Sequence, residues 1–108
     1  MTAMQRNKGA RVERDIVNRH KALGVHAERV PQSGASAYTH DYDVDLYPFG
    51  EEAGALVAEV KANQGTLPKT IMKQLGEADL LFLKPDRQEP YVFMPWRTWV
   101  RLLESVKG

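Results

Sequence analysis

Two short charged runs, Asp43-Val44-Asp45 and Glu59-Val60-Lys61, lie at the open end of what reads as a β-hairpin. The arms run 43–49 and 55–61, and the turn Gly50-Glu51-Glu52-Ala53-Gly54 carries glycines that permit a reversal. Side chains alternate along a strand, so Asp43 and Asp45 share one face of the first arm, and Glu59 and Lys61 share one face of the second. A turn centred on Glu52 sets Asp45 opposite Glu59 and Asp43 opposite Lys61. Directly opposed residues stand about 4.5–5.5 Å apart, where two carboxylates repel. A cation between them relieves the repulsion, which makes Asp45 and Glu59 the first candidates for metal ligands. A register slip of two residues would exchange the roles of Asp43 and Asp45.

Composition narrows what surrounds this cluster. A chain of 108 residues is expected to form one domain over 1–108, with residues 1–7 polar and frayed. It has no cysteine, so disulfides and thiolate metal sites are excluded. No apolar run reaches membrane length and no signal-peptide core opens the chain, so a cytoplasmic location without membrane contact is expected. The net charge of +1 conceals a division. Residues 1–40 carry seven bases against three acids, residues 41–59 six acids and no base, and the remainder eight bases against five acids. Acids concentrated within basic flanks suit a metal site beside phosphate-binding surfaces, and a solvated acidic loop gives the same sums.

The elements that must position the cluster follow from periodicity. A helix is predicted from about Gly9 to Leu23, with Val12, Ile16, Val17 and Leu23 on one arc and Gly24 as its stop. Glu13 and His20 fall inside that arc. A carboxylate facing inward needs a partner, and an ion pair from Glu13 to His20 or to an arginine satisfies it. Val25–Val30 is predicted as a strand, followed by the small-residue loop 31–37. Within it, Ser33 near His40 lacks the G-x-S-x-G setting of a nucleophilic serine, so a hydrolase triad is rejected. Asp41, His40 and Asp43 resemble a metal trio less than the carboxylates of the strand face do. A second helix is predicted from Pro68 to about Glu77, carrying Gln74 on its surface, then strands at 80–83 and 91–94. A last helix begins near Pro95, with Trp96, Trp99, Val100, Leu103 and Val106 along its apolar side.

An Asp heading a strand, a hairpin, and Glu-x-Lys closing the next strand resembles the catalytic core of the PD-(D/E)XK nuclease superfamily. Lys8-Gly9-Ala10-Arg11-Val12-Glu13-Arg14 and Arg29-Val30-Pro31-Gln32-Ser33-Gly34 are similar to the opening helix and Ser-Gly loop of archaeal-type Holliday junction resolvases. The residue before the key Asp45 is Val44, where the family pattern has Pro. The resemblance implies an α/β fold, a mixed central sheet flanked by helices with a restriction-endonuclease-like αβββαβ core. It implies a magnesium-dependent endodeoxyribonuclease, with manganese able to substitute, that resolves four-way junctions in DNA recombination and repair as a homodimer. Asp45 and Glu59 would be ligands, with the Val60 carbonyl as another and Glu13 binding directly or through water. Lys61 would orient the attacking water or offset phosphate charge; a lysine is ordinarily protonated near neutral pH and serves as a general base only with strong desolvation. Ser33, Arg29, Lys8 and Arg11 would contact phosphates, and Gln74 would stand near the site. A restriction- or repair-type nuclease acting on duplex is the alternative enzyme, and an inert DNA-binding module of the same fold the alternative of another class.

Overall fold

The computed structural model describes residues 3–31 and 42–107, with the side chains of residues 3–8 outside that description. The chain divides into two compact units, Met1–Ala62 and Asn63–Gly108.

In the first unit, helix α1 spans Ala3–Ala22, starting six residues before the predicted Gly9. The residues added, Ala3 to Lys8, include Met, Gln, Arg and Lys, whose straight side chains lose little freedom in a helix. Its end is a Schellman turn: the N–H of Val25 donates to the His20 carbonyl at 2.9 Å and that of Gly24 to Lys21 at 2.9 Å. Gly24 adopts φ 80°, the left-handed backbone such a stop requires. Strands β1 (His26–Arg29), β2 (Val44–Tyr47) and β3 (Leu56–Ala58) then form an antiparallel sheet in the order β1-β2-β3. Helix α1 packs on β1 and β2. Val17 from the helix and Val25, Ala27, Val30, Val44 and Leu46 from the sheet side are buried, each large aliphatic contributing about 1.5–3 kcal/mol.

The hairpin register differs from the one expected. Val44 pairs with Ala58, Asp45 with Val57 and Leu46 with Leu56, a slip of two residues that centres the reversal one residue earlier. Pro48 explains it, because proline has no N–H for the ladder and β2 stops at Tyr47. The chain turns at once, with the Gly50 N–H donating to the Tyr47 carbonyl, and then forms a short 3-10 helix over Glu51–Ala53.

In the second unit, α2 spans Lys69–Leu75 between Pro68 and Gly76, close to the predicted helix. Strands β4 (Leu81–Leu83) and β5 (Tyr91–Phe93) pair antiparallel, and α3 runs Trp96–Lys107. The Thr98 hydroxyl donates to the Asp79 carbonyl at 2.9 Å, tying the start of α3 to the segment before β4. The expected order of helix, three strands, helix and strand is therefore present in an α/β chain. Its strands pair as a three-stranded sheet and a separate hairpin, with no parallel pair among the described residues. No helix is long and apolar enough to cross a membrane among the described residues.

Candidate active site

Asp43 is the meeting point of three segments. Its carbonyl accepts the Val30 N–H at 2.9 Å, just beyond β1, while its own N–H donates to the Ala58 carbonyl at 3.0 Å, at the end of β3. In a regular antiparallel strand both groups of one residue face the same neighbour. Here they face opposite neighbours, and the bond to Ala58 is one residue out of step with the Val44–Ala58 pair. Such a local irregularity re-aims a side chain, as bulges beside active sites do. The Asp43 carboxylate reaches past Glu59 and accepts the Val60 N–H through Oδ2 at 2.7 Å. That length is typical of a hydrogen bond to an ionised acceptor.

Glu59 is thus held between two fixed points, Ala58 and Val60, both bonded to Asp43. Its side chain is half exposed, and Lys61 Nζ approaches Glu59 Oε2 to 4.0 Å from a largely solvated position. Asp43, Glu59 and Lys61 form one constellation at the open end of the hairpin. Asp45 does not stand opposite Glu59: it is buried and lies across from Val57 on one side and Glu28 on the other. The two-residue slip is the register formed, and it sets Asp43 rather than Asp45 beside the Glu59–Lys61 run.

Alternation divides the sheet into two faces. Ala27, Arg29, Val44 and Leu46 share the face that meets α1, while His26, Glu28, Asp45 and Tyr47 belong to the other. On the helix side, Arg29 Nε and Nη2 both donate to Glu13 Oε1 at 3.1 Å, with the Glu13 side chain 14% exposed. This is the arginine ion pair considered for Glu13. His20 is not its partner; that ring is buried and Nδ1 donates to the Ile16 carbonyl at 2.7 Å, which assigns the proton to Nδ1.

The opposite face is acidic. Glu28, absent from the candidates drawn from sequence, lies directly across from Asp45. His26 places Nδ1 2.6 Å from Glu51 Oε1 and Nε2 3.3 Å from Glu28 Oε1. Both ring nitrogens can donate only when the imidazole is protonated. The Tyr47 phenol is pushed above its ordinary value by loss of solvent, then by the charges of Asp45, Glu28 and Glu51. The polar alternation of His26 and Glu28 about buried Ala27 was the signal that could have disclosed this face.

Other sequence candidates are distributed more widely. Arg11 is exposed on α1, and Lys8 lies in its backbone with its side chain outside the described residues. Ser33, His40 and Asp41 lie outside the described residues altogether. Gln74 is exposed on α2, in the second unit.

Asp43, Glu59 and the Val60 carbonyl are all oxygen donors, the chemistry a hard divalent cation takes, and magnesium keeps several waters so that few protein ligands suffice. They fit such an ion as a partial shell completed by water. Among the described residues no three His, Cys, Asp or Glu side chains converge into a protein-only cage.

The family model described as "Phage putative PDDEXK endonuclease" matches residues 4–80, which includes α1, the hairpin and α2. No curated protein and no solved structure matches the chain.

Proposed function

Because the chain belongs to the phage PDDEXK endonuclease family, we propose that it is a metal-dependent endodeoxyribonuclease whose site is Asp43, Glu59 and Lys61. The observation that carries this reading is the Asp43–Val60 hydrogen bond, which joins the strand-head aspartate to the Glu-x-Lys run. Asp43, Glu59 and the Val60 carbonyl would hold magnesium, with manganese as a substitute. Such an ion supplies Lewis-acid polarisation of the phosphate and lowers the pKa of a bound water. Lys61, largely solvated, offers a cation to the phosphate or a donor that orients the attacking water. Glu13 enters as the partner that fixes Arg29 rather than as a ligand. Arg11, Lys8, Arg29 and Ser33 would contact phosphates without reading bases, so affinity should fall as salt rises.

The four-way junction remains the proposed substrate, on the resemblance of the segments 8–14 and 29–34 to junction resolvases. Two symmetry-related nicks require two sites, which a two-fold homodimer presents in fixed relation. Trp96 and Trp99, both partly buried on α3, are the proposed contact between copies. The matching family is described as an endonuclease without mention of junctions, which favours cleavage of ordinary duplex as the second reading. The test is cleavage of a labelled four-way junction and a duplex of matched sequence, with light scattering of the same preparation. Preferential, paired nicking by a dimer supports resolution. A monomer that cuts duplex equally well leaves the general nuclease reading, and binding without any cleavage leaves the inert module.

A further inference from the structure

A metal ligand needs only to present oxygens to an ion, yet Asp43 is built into the backbone of its neighbours. Its carbonyl is bonded to Val30, its N–H to Ala58 and its carboxylate to the N–H of Val60. Strand β3 ends at Ala58, and two residues beyond it the Val60 N–H is taken by the Asp43 carboxylate. The Asp43 side chain takes over where the ladder stops, acting as the acceptor that a β2 carbonyl would otherwise supply. Val60 is the residue between Glu59 and Lys61, and fixing its peptide N–H limits the backbone that carries both side chains. The glutamate and lysine, half exposed and largely exposed, approach each other to 4.0 Å, beyond hydrogen-bond length.

We infer that Asp43 is a positioning residue for Glu59 and Lys61, acting through the Val60 N–H, and that this role exists without any metal or DNA. This extends the assignment of Asp43 to the nuclease site but does not depend on it, because the bond is a property of the free chain. An asparagine at 43 keeps a carbonyl oxygen able to accept from Val60 while removing the charge. An alanine removes the acceptor. The two substitutions therefore separate the positioning role from any role that needs a carboxylate.

The experiment is amide hydrogen exchange on the full chain in EDTA, comparing wild type, Asp43→Asn and Asp43→Ala. Protection at Val60 should fall by about tenfold or more in Asp43→Ala, in keeping with loss of a hydrogen bond to a charged group. It should be largely retained in Asp43→Asn, with Leu46 and Val44 amides unchanged as controls in both. Should Asp43→Ala fail to fold, the wild-type protein still decides the matter through a through-bond NMR coupling between the Val60 amide nitrogen and the Asp43 carboxylate carbon. Unchanged Val60 protection in Asp43→Ala, equal loss in both variants, or absence of that coupling overturns the inference. None of these outcomes depends on whether the protein cleaves DNA.

Discussion

The Asp43 carboxylate accepts the Val60 N–H at 2.7 Å, so a side chain ahead of β2 anchors the peptide between Glu59 and Lys61. The acid at the head of one strand and the Glu-x-Lys run leaving the next are joined by a bond.

Asp43→Asn should lower metal-supported cleavage by about a hundredfold or more, the scale seen when one charge-stabilising group is lost from an active site. Its melting temperature should stay near that of wild type. Asp45, buried across from Glu28, should behave in the opposite way. Asp45→Ala should destabilise the protein by about 0.5–3 kcal/mol, because it empties a buried position in the sheet. Parallel denaturation and cleavage assays distinguish them, and the reverse pattern would return the ligand role to Asp45.

Glu13→Gln should lower stability by about 1–3 kcal/mol, since it leaves the Arg29 guanidinium with a weaker acceptor at a partly buried site. The double variant Glu13→Gln/Arg29→Gln should cost less than the sum of the two single changes, as expected for groups in contact. A stable Glu13→Gln protein that has lost cleavage would place Glu13 among the ligands after all.

The contrast between Asp45 and Glu13 also marks what could be read from residues alone. The helix stop at Gly24, the second helix after Pro68, the strands around residues 82 and 92, and the existence of the 43–61 hairpin all depend on local signals. The register did not, because Pro48 ended β2 early and a 3-10 turn over Glu51–Ala53 took up the residues between the arms. The single mixed sheet was inferred by resemblance, and pairing between distant strands leaves no mark in local periodicity. Glu13 was legible as an inward carboxylate needing a partner. Its partner, Arg29, lies sixteen residues away on the next strand, beyond the reach of helical spacing.

Lys61→Gln should leave stability within about 0.5 kcal/mol of wild type, as for an exposed position, while cleavage falls strongly. Lys61→Arg should recover part of the rate if positive charge on the phosphate is what matters. A Lys61→Gln enzyme with full activity would remove Lys61 from the reaction.

Tyr47 supplies a pH prediction. Its phenol ionises above the ordinary value of about 10, so the folded protein binds this proton more tightly than the unfolded chain does. The associated stability is complete below pH about 10 and is lost as pH rises through the folded value. Absorbance at 295 nm should show a late-ionising phase that Tyr47→Phe lacks, and the alkaline stability of that variant should fall off less steeply. Loss of an ordinary rather than a late-ionising phase in Tyr47→Phe would contradict the account of this face.

The most direct measurement follows supercoiled plasmid, labelled duplex and labelled four-way junction incubated with the wild-type chain, Asp43→Asn and Glu59→Gln. Each reaction is run in magnesium, in manganese and in EDTA. The account predicts cleavage by the wild-type protein with either ion, none in EDTA, and at least about a hundredfold slower cleavage by both folded variants. Cleavage that persists in EDTA or in the two variants, or no cleavage of any substrate by the folded wild-type chain, would contradict it.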